Sequence, residues 1–227
     1  MATILQIETA TPVCSVALSI NGKTIALKEE AAQNIHAASL TLFIEKVMKS
    51  ANLKFTDLDA VAVSKGPGSY TGLRIGVSTA KGLCFALDKP LIAINTLQMM
   101  ANGYMLQNPN YEGLICAMID ARRMEVFTAI YNSNLQEVEA TNAKIVSETS
   151  FNSMLEGNDI TFIGDGAEKC KLVLNHQNAH FSSLNFNSAT NMSALALQAY
   201  NNQNFEDVAY FEPFYLKDFV FTTPKNK

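Results

Sequence analysis

The sequence predicts an α/β fold in which one structural unit is used twice, and three observations carry that reading. Apolar, strand-like runs alternate with long helical stretches along the chain. A strand, helix and strand with short returns spans Leu58 to Asn95, which implies parallel pairing. A pattern from the N-terminus reappears about half a chain later, as expected of a duplicated unit. Two lobes are therefore expected, each with a mixed sheet and flanking helices, at 1–105 and 106–227, with the last helix placed to pack back on the first lobe.

Ile4-Leu5-Gln6-Ile7 reads as a short apolar strand that ends on Glu8. A turn follows at Thr9-Ala10-Thr11-Pro12. Val13–Ile20 alternates as a strand, Asn21-Gly22 marks a hairpin, and Lys23–Glu29 returns. From His36 to Ala51 the period becomes helical, with Leu40, Phe43, Ile44, Val47, Met48 and Ala51 on one face. That stripe covers about 140°, wider than the ~100° that one core-facing side requires, so the helix is expected to touch two things. Leu58–Ser64 reads as a buried strand, Tyr70–Leu87 as a long helix stopped by Asp88-Lys89-Pro90, and Leu91–Asn95 as another strand.

The repeat begins at Leu114–Ile119, ends on Asp120, turns through Arg122-Arg123, and continues as Glu125–Tyr131 with a turn at Asn132-Ser133-Asn134. Glu8 and Asp120 thus hold corresponding places, and the seam between units is expected near Asn102–Tyr111. Thr222–Lys227 reads as a loose tail.

Bulk composition narrows the function classes. The chain has 227 residues, 48% hydrophobic and 17% charged, which suits a globular protein with a real core. With 17 basic and 21 acidic side chains the net charge is −4, so no electrostatic drive toward nucleic acid is expected of this chain alone. Met1–Glu8 lacks the basic start of a signal peptide. No apolar run approaches the roughly 20 residues that cross a bilayer, so no membrane is expected. Cys14, Cys84, Cys116 and Cys170 are scattered and read as buried thiols of a cytoplasmic protein.

The densest motif is Lys65-Gly66-Pro67-Gly68-Ser69-Tyr70-Thr71-Gly72-Leu73-Arg74-Ile75-Gly76. No Lys follows a glycine at Walker spacing, and Thr71 stands where a dinucleotide fingerprint needs its third glycine. Gly72, Gly76 and Ala80 instead form a smooth face for close packing, with Tyr70, Arg74 and Lys81 as a polar stripe. His176 and His180 have metal-pair spacing, but Gln177 stands where a zinc protease has Glu, and a surface loop is expected. His36 reads as structural. Glu8 and Asp120 could hold magnesium through phosphate oxygens or simply cap turns. No complete catalytic site is visible.

Several stretches together resemble the TsaB (YeaZ) family: Ile4–Thr11, Ser64–Gly76, Ala80-Lys81-Gly82-Leu83, Asp120-Ala121-Arg122-Arg123, Gly164-Asp165-Gly166 and Pro213-Phe214-Tyr215-Leu216-Lys217. The resemblance runs nearly end to end, although Lys217 stands where Arg is expected more often. It implies a duplicated ribonuclease-H-like fold of the actin-like ATPase superfamily. It also implies a role in the threonylcarbamoyl modification of tRNA, as a non-catalytic subunit that binds and activates the catalytic subunit TsaD. The two metal histidines of TsaD correspond to Thr96 and Met100, poor ligands for iron or zinc, so no metal or other cofactor is expected.

The resemblance further implies pairing through the two helices of the first lobe. The expected interface is His36, Leu40, Phe43, Ile44 and Val47 on one helix, and Tyr70, Thr71, Gly72, Leu73, Arg74, Gly76 and Val77 on the other. TsaE joins a larger complex, tRNA is met only through that complex, and the isolated chain is placed to self-associate through the same helices. The alternative is a nucleotide-dependent phosphotransferase or ATPase of the same superfamily, using Glu8 and Asp120.

Overall fold

A computed structural model describes residues 1–32 and 35–217. The tail expected at Thr222–Lys227 lies outside the described residues. Among the described residues, ten strands form two sheets of five. The first contains β1 (Thr3–Glu8), β2 (Val13–Ile20), β3 (Lys23–Ala31), β4 (Ala60–Gly66) and β5 (Leu91–Asn95), ordered β3-β2-β1-β4-β5. The second contains β6 (Leu114–Asp120), β7 (Glu125–Tyr131), β8 (Glu137–Ile145), β9 (Ile160–Ile163) and β10 (Ala179–Phe181), ordered β10-β9-β6-β7-β8. In each, the first three strands run antiparallel and the remaining pairings are parallel. The two sheets therefore repeat one topology.

The central strands β1, β4 and β6 read as nearly unbroken apolar runs because both faces are covered there, whereas the edge strands β3 and β8 are polar and largely exposed. Side chains alternate between faces with period two. Ile4, Ala60, Ala62, Ile92 and Ile94 point from the first sheet into a core shared with Ile115, Ala117, Ile119 and Ile163 of the second. Leu5, Ile7, Val61, Val63 and Leu91 point the other way, beneath α1 (Ile35–Ser50) and α2 (Tyr70–Leu87). On the far side of the second sheet, Cys116, Met118, Ile130 and Phe162 pack under the short helices α4 (Asn152–Leu155) and α5 (Asp165–Cys170).

The shared core is organised by α3 (Thr96–Gln107), which the hydrophobic pattern did not single out. Leu97, Met99, Met100, Ala101 and Tyr104 are buried between the two sheets. A helix apolar all round has no periodic signature, which is why its stretch reads poorly from sequence. Asn95 caps it by accepting from the Leu97 amide at 2.8 Å. The seam expected at Asn102–Tyr111 thus begins inside a buried helix. Asn102 is held there by the Asn191 carbonyl at 2.7 Å. The last helix, α6 (Ser193–Asn201), sends Leu195 and Ala196 into the same core.

Boundaries shift modestly elsewhere. The strand read at Leu58–Ser64 occupies Ala60–Gly66, because a 3-10 turn at Phe55–Asp57 delivers Leu58 to the core before the ladder begins. His180 lies on β10, paired in parallel with β9, and is not in a loop.

Glycines on α2 divide into two kinds. A Cβ at Gly72 would lie 2.1 Å from the Thr9 carbonyl oxygen, and one at Gly76 2.2 Å from Thr9 Oγ1, whereas Gly82 faces open space. Gly72→Ala should therefore cost about 1–3 kcal/mol through overpacking. Gly82→Ala should stabilise by about 0.5–1 kcal/mol through helix propensity. Urea denaturation of the two variants checks the opposite signs.

Candidate docking face and interlobe cleft

The β1–β2 turn and the glycine-rich segment assemble as one unit. Glu8 ends β1 and accepts from the Ala10 amide at 2.6 Å, which curls the chain immediately after the strand. The Ala10 carbonyl then accepts from the Ser69 amide at 2.7 Å, and Thr9 Oγ1 donates to the Gly72 carbonyl at 2.8 Å. A Cβ at Gly68 would meet Ala10 O at 2.4 Å. Gly66 has φ +112° and would bring a Cβ to 2.7 Å from the Phe214 carbonyl. These glycines admit the chain's own backbone, the Thr9–Ala10 turn and the Phe214 segment. Ser69 caps α2 by accepting from the Gly72 amide at 3.3 Å.

Glu8 differs from what its place at a strand end suggested. It is fully buried and is not among the residues lining the cleft between the lobes, so it cannot join Asp120 around a phosphate there. Burial pushes its carboxyl up to about 7, opposed by the Ala10 amide and, least, by the Ser64 hydroxyl. Glu8 Oε2 and Ser64 Oγ are both buried without a hydrogen bond of good geometry.

Asp120 does line the cleft, a cavity of about 930 Å³. It is engaged locally: its Oδ1 accepts from the Arg122 amide at 2.8 Å and pairs with Lys169. Its own amide donates to Asp165 Oδ1 at 3.1 Å. Burial, the largest cause, raises the Asp165 pKa; the Asp120 amide opposes this, and the Asp120 charge adds to it to a smaller degree. Arg122 and Arg123 both sit in the left-handed region, with φ +68° and +47°, at the second-lobe wall of the cleft. Such backbone in non-glycine residues is sparsely populated and costly. The first-lobe wall is the start of α2, with Ser69, Tyr70 and Thr71.

The two helices of the first lobe separate the expected interface into inner and outer residues. His36, Leu40, Phe43, Ile44 and Val47 are buried under α1, and Gly72, Leu73, Gly76 and Val77 are buried under α2. Those nine are buried within the chain, although His36 and Gly72 also line a surface pocket of about 300 Å³ between the starts of α1 and α2. His36 Nε2 lies 3.2 Å from the Val13 carbonyl and ties the start of α1 to β2. The wide stripe on α1 is thus spent on the sheet below and on α2 beside it. Thr71 and Arg74 are exposed, and Tyr70 is half-buried. The Arg74 guanidinium sits 4.3 Å from the Tyr70 ring centre.

What the outer face does expose was not singled out from the sequence. Phe85 is 85% exposed and Leu42 51% exposed, unusual for large apolar side chains on well-packed helices. Beside Phe85, Ser78, Gly82 and Ala86 recur every four residues along the exposed side of α2. The small-residue face open to a neighbour is this one, displaced around the helix from Gly72, Gly76 and Ala80. Helix phase relative to the sheet would have found it.

Thr96 and Met100 are buried at the start and in the middle of α3. The Met100 methyl fills the space beside Gly164, 2.3 Å from where a Cβ would stand. The Met100 thioether packs in the shared core, and Thr96 Oγ1 is buried without a hydrogen-bond partner. His180 Nε2 lies 3.0 Å from Asp159 Oδ1 on the exposed edge of the second sheet, and His176 Nδ1 accepts from the Asn178 amide at 3.2 Å. All four cysteines are buried free thiols. Among the described residues, no helix is long and apolar enough to cross a membrane.

Two sheets of identical topology enclosing a cleft define the class: a duplicated ribonuclease-H-like fold of the actin-like type. A solved structure from Pseudomonas aeruginosa, described as an uncharacterized protein with similarity to peptidase YEAZ, shares this fold. It aligns with TM-score 0.85 at 24% identity, over 96% of this chain and 100% of that one. A second, YeaZ from Pseudomonas aeruginosa, aligns with TM-score 0.82 at 26% identity, over 95% of this chain and 100% of that one. The family model described as TsaD, tRNA N6-adenosine threonylcarbamoyltransferase, matches residues 27–222. The Escherichia coli tRNA threonylcarbamoyladenosine biosynthesis protein TsaB is 31% identical over 96% of this chain and 95% of its own length. The chain belongs to the TsaB (YeaZ) family.

The buried carboxyl makes a pH prediction. Glu8 has a folded pKa of about 7 against an ordinary 4.5, so the folded state holds its proton more tightly. Its contribution is present in full below the ordinary value and is lost as pH rises through the folded value. Glu8→Gln cannot ionise. Relative to that variant, the native chain should lose on the order of 3 kcal/mol between about pH 4.5 and pH 8. Urea denaturation of both proteins across that range measures it.

Proposed function

We propose that this chain acts in tRNA threonylcarbamoyladenosine biosynthesis as a non-catalytic subunit that binds and activates a TsaD-type transferase. What supports the docking part is the outer side of α2, where Phe85 stands exposed near the small residues Ser78, Gly82 and Ala86, together with Leu42 exposed on α1. Small residues let a second helix approach closely, and large apolar neighbours supply the area that association removes from water. Thr71 and Arg74 border that face and Tyr70 lies beneath it, so these three of the expected interface residues remain part of the reading.

The non-catalytic part rests on residues that occupy the functional positions with other work. Thr96 and Met100 lie within the shared core, and Glu8 braces the β1–β2 turn. In this reading TsaE joins the larger assembly, tRNA is contacted through the complex, and the chain works in the cytoplasm without a cofactor of its own. Without its partner, the same face supports self-association. The lobe division at 1–105 and 106–227 belongs to the same proposal.

Mixing the chain with TsaD and separating by size exclusion tests the docking face. Phe85→Asp should weaken the complex at least tenfold, about 1.4 kcal/mol or more, as expected of a central apolar anchor. Leu42→Asp should weaken it in the same direction, and both should keep native stability because the side chains are exposed. Retained co-elution of both variants with TsaD would overturn the face. Gly76→Leu is unsuitable, since it strikes Thr9 inside the chain. A threonylcarbamoylation assay tests the other half: modification by this chain alone would contradict a non-catalytic role.

A further inference from the structure

The last described residues form a structure that neither the repeat nor the docking face requires. After α6, the chain crosses back over the first lobe. The Glu206 amide donates to the Leu91 carbonyl at 2.9 Å on the edge strand β5. Val208 and Phe211 pack against the core beneath α1 and α2. Lys81 Nζ donates to the Ala209 and Phe211 carbonyls at 3.2 and 2.9 Å, which explains its place in the polar stripe of α2. The Phe214 amide donates to the Lys65 carbonyl at 2.7 Å. The Tyr215 ring then lies 4.7 Å from that of Tyr70.

Beyond Tyr215 the chain reaches the other lobe. Phe214, Tyr215, Leu216 and Lys217 line the interlobe cleft together with the Asp120–Arg123 turn, and Lys217 Nζ pairs with Glu125 at the start of β7. The Lys217 side chain is 45% exposed and that of Glu125 21%. Attachment to the first lobe is therefore dispersed over backbone, aromatic and apolar contacts. Among the described residues, its ion pair to the second lobe is Lys217–Glu125, and that pair is solvent-accessible.

We propose that Phe214–Lys217 is a strap across the mouth of the interlobe cleft, latched to the second lobe by the Lys217–Glu125 pair. An exposed pair contributes little and is screened by salt, so the latch is the element that yields first. Release frees Leu216 and Lys217 from the second-lobe wall while the anchors from Glu206 to Phe214 hold. Access to the cleft then varies with salt and with the charge at Lys217 or Glu125. The strap thereby regulates entry of any small molecule to the cleft, and the inference does not depend on the docking face.

A thiol placed in the cleft reads the strap directly in the full chain. The native cysteines are all buried, so Ala121→Cys, at the cleft wall, supplies the reactive site for a disulfide reagent such as DTNB. Adding Lys217→Ala should speed its labelling about two- to five-fold, the range expected for loss of one surface pair. Raising salt to about 1 M should accelerate the reporter with Lys217 intact and leave the Lys217→Ala form unchanged. Exchanging the charges, Lys217→Glu with Glu125→Lys, should restore the slow rate. Equal rates with and without Lys217 would overturn the strap. Failure of the exchange to restore slow labelling would overturn the Glu125 latch.

Discussion

The seating of the Thr9–Ala10 turn against the glycine face of α2 is the constraint on which the rest depends. Two hydrogen bonds, from the Ser69 amide to the Ala10 carbonyl and from Thr9 Oγ1 to the Gly72 carbonyl, bind the turn after β1 to the start of α2, and a third, from the Ala10 amide to Glu8, shapes that turn. Without side chains at Gly68, Gly72 and Gly76, backbone approaches backbone closely enough for those bonds to form. That contact sets the helix phase. It turns Leu73 and Val77 into the core, and leaves Ser78, Gly82 and Phe85 facing outward.

The same contact explains why a loop so rich in glycine does not behave as a phosphate cradle. Its backbone freedom serves the turn and the Phe214 carbonyl, both parts of this chain. Glu8 is consumed by the arrangement too. Sealed behind the turn, it is held toward its neutral form and has no access to the cleft. Asp120, at the end of the matching strand, remains at the cleft wall, where its turn runs through Arg122 and Arg123 and its amide donates to Asp165 at the start of α5. A duplicated topology has thus produced two different strand ends, one structural and one exposed to the space between the lobes.

The shared core adds a second level. With α3 inserted between the sheets, Met100 and its neighbours join the apolar faces of the two lobes. The C-terminal segment then crosses the first lobe and reaches Glu125 of the second, so the lobes are joined at the back by apolar packing and at the mouth by an ion pair. These two junctions differ in kind. Burial of apolar surface is not weakened by ionic screening, whereas an exposed pair is. The cleft is consequently firm at its base and adjustable at its rim.

Much of this was legible from the residues alone. The strand ending on Glu8, the hairpin at Asn21-Gly22, the two helices and the βαβ unit follow from hydrophobic period and turn chemistry, which act over a few residues. The repeat at Leu114–Tyr131 follows from the same local rules applied again. Buried α3 escaped because a helix contacted on all sides carries no period. The expected interface at Leu40, Phe43, Ile44, Val47, Gly72, Leu73, Gly76 and Val77 described the inner face of its helices, since an apolar stripe has the same sequence signature whether it meets its own sheet or another protein. Sequence by itself determined which segments are strands and helices and that the unit is repeated. Only the tertiary structure decided which face of each helix stays exposed, because that depends on how the Thr9 turn, far away in sequence, seats against α2.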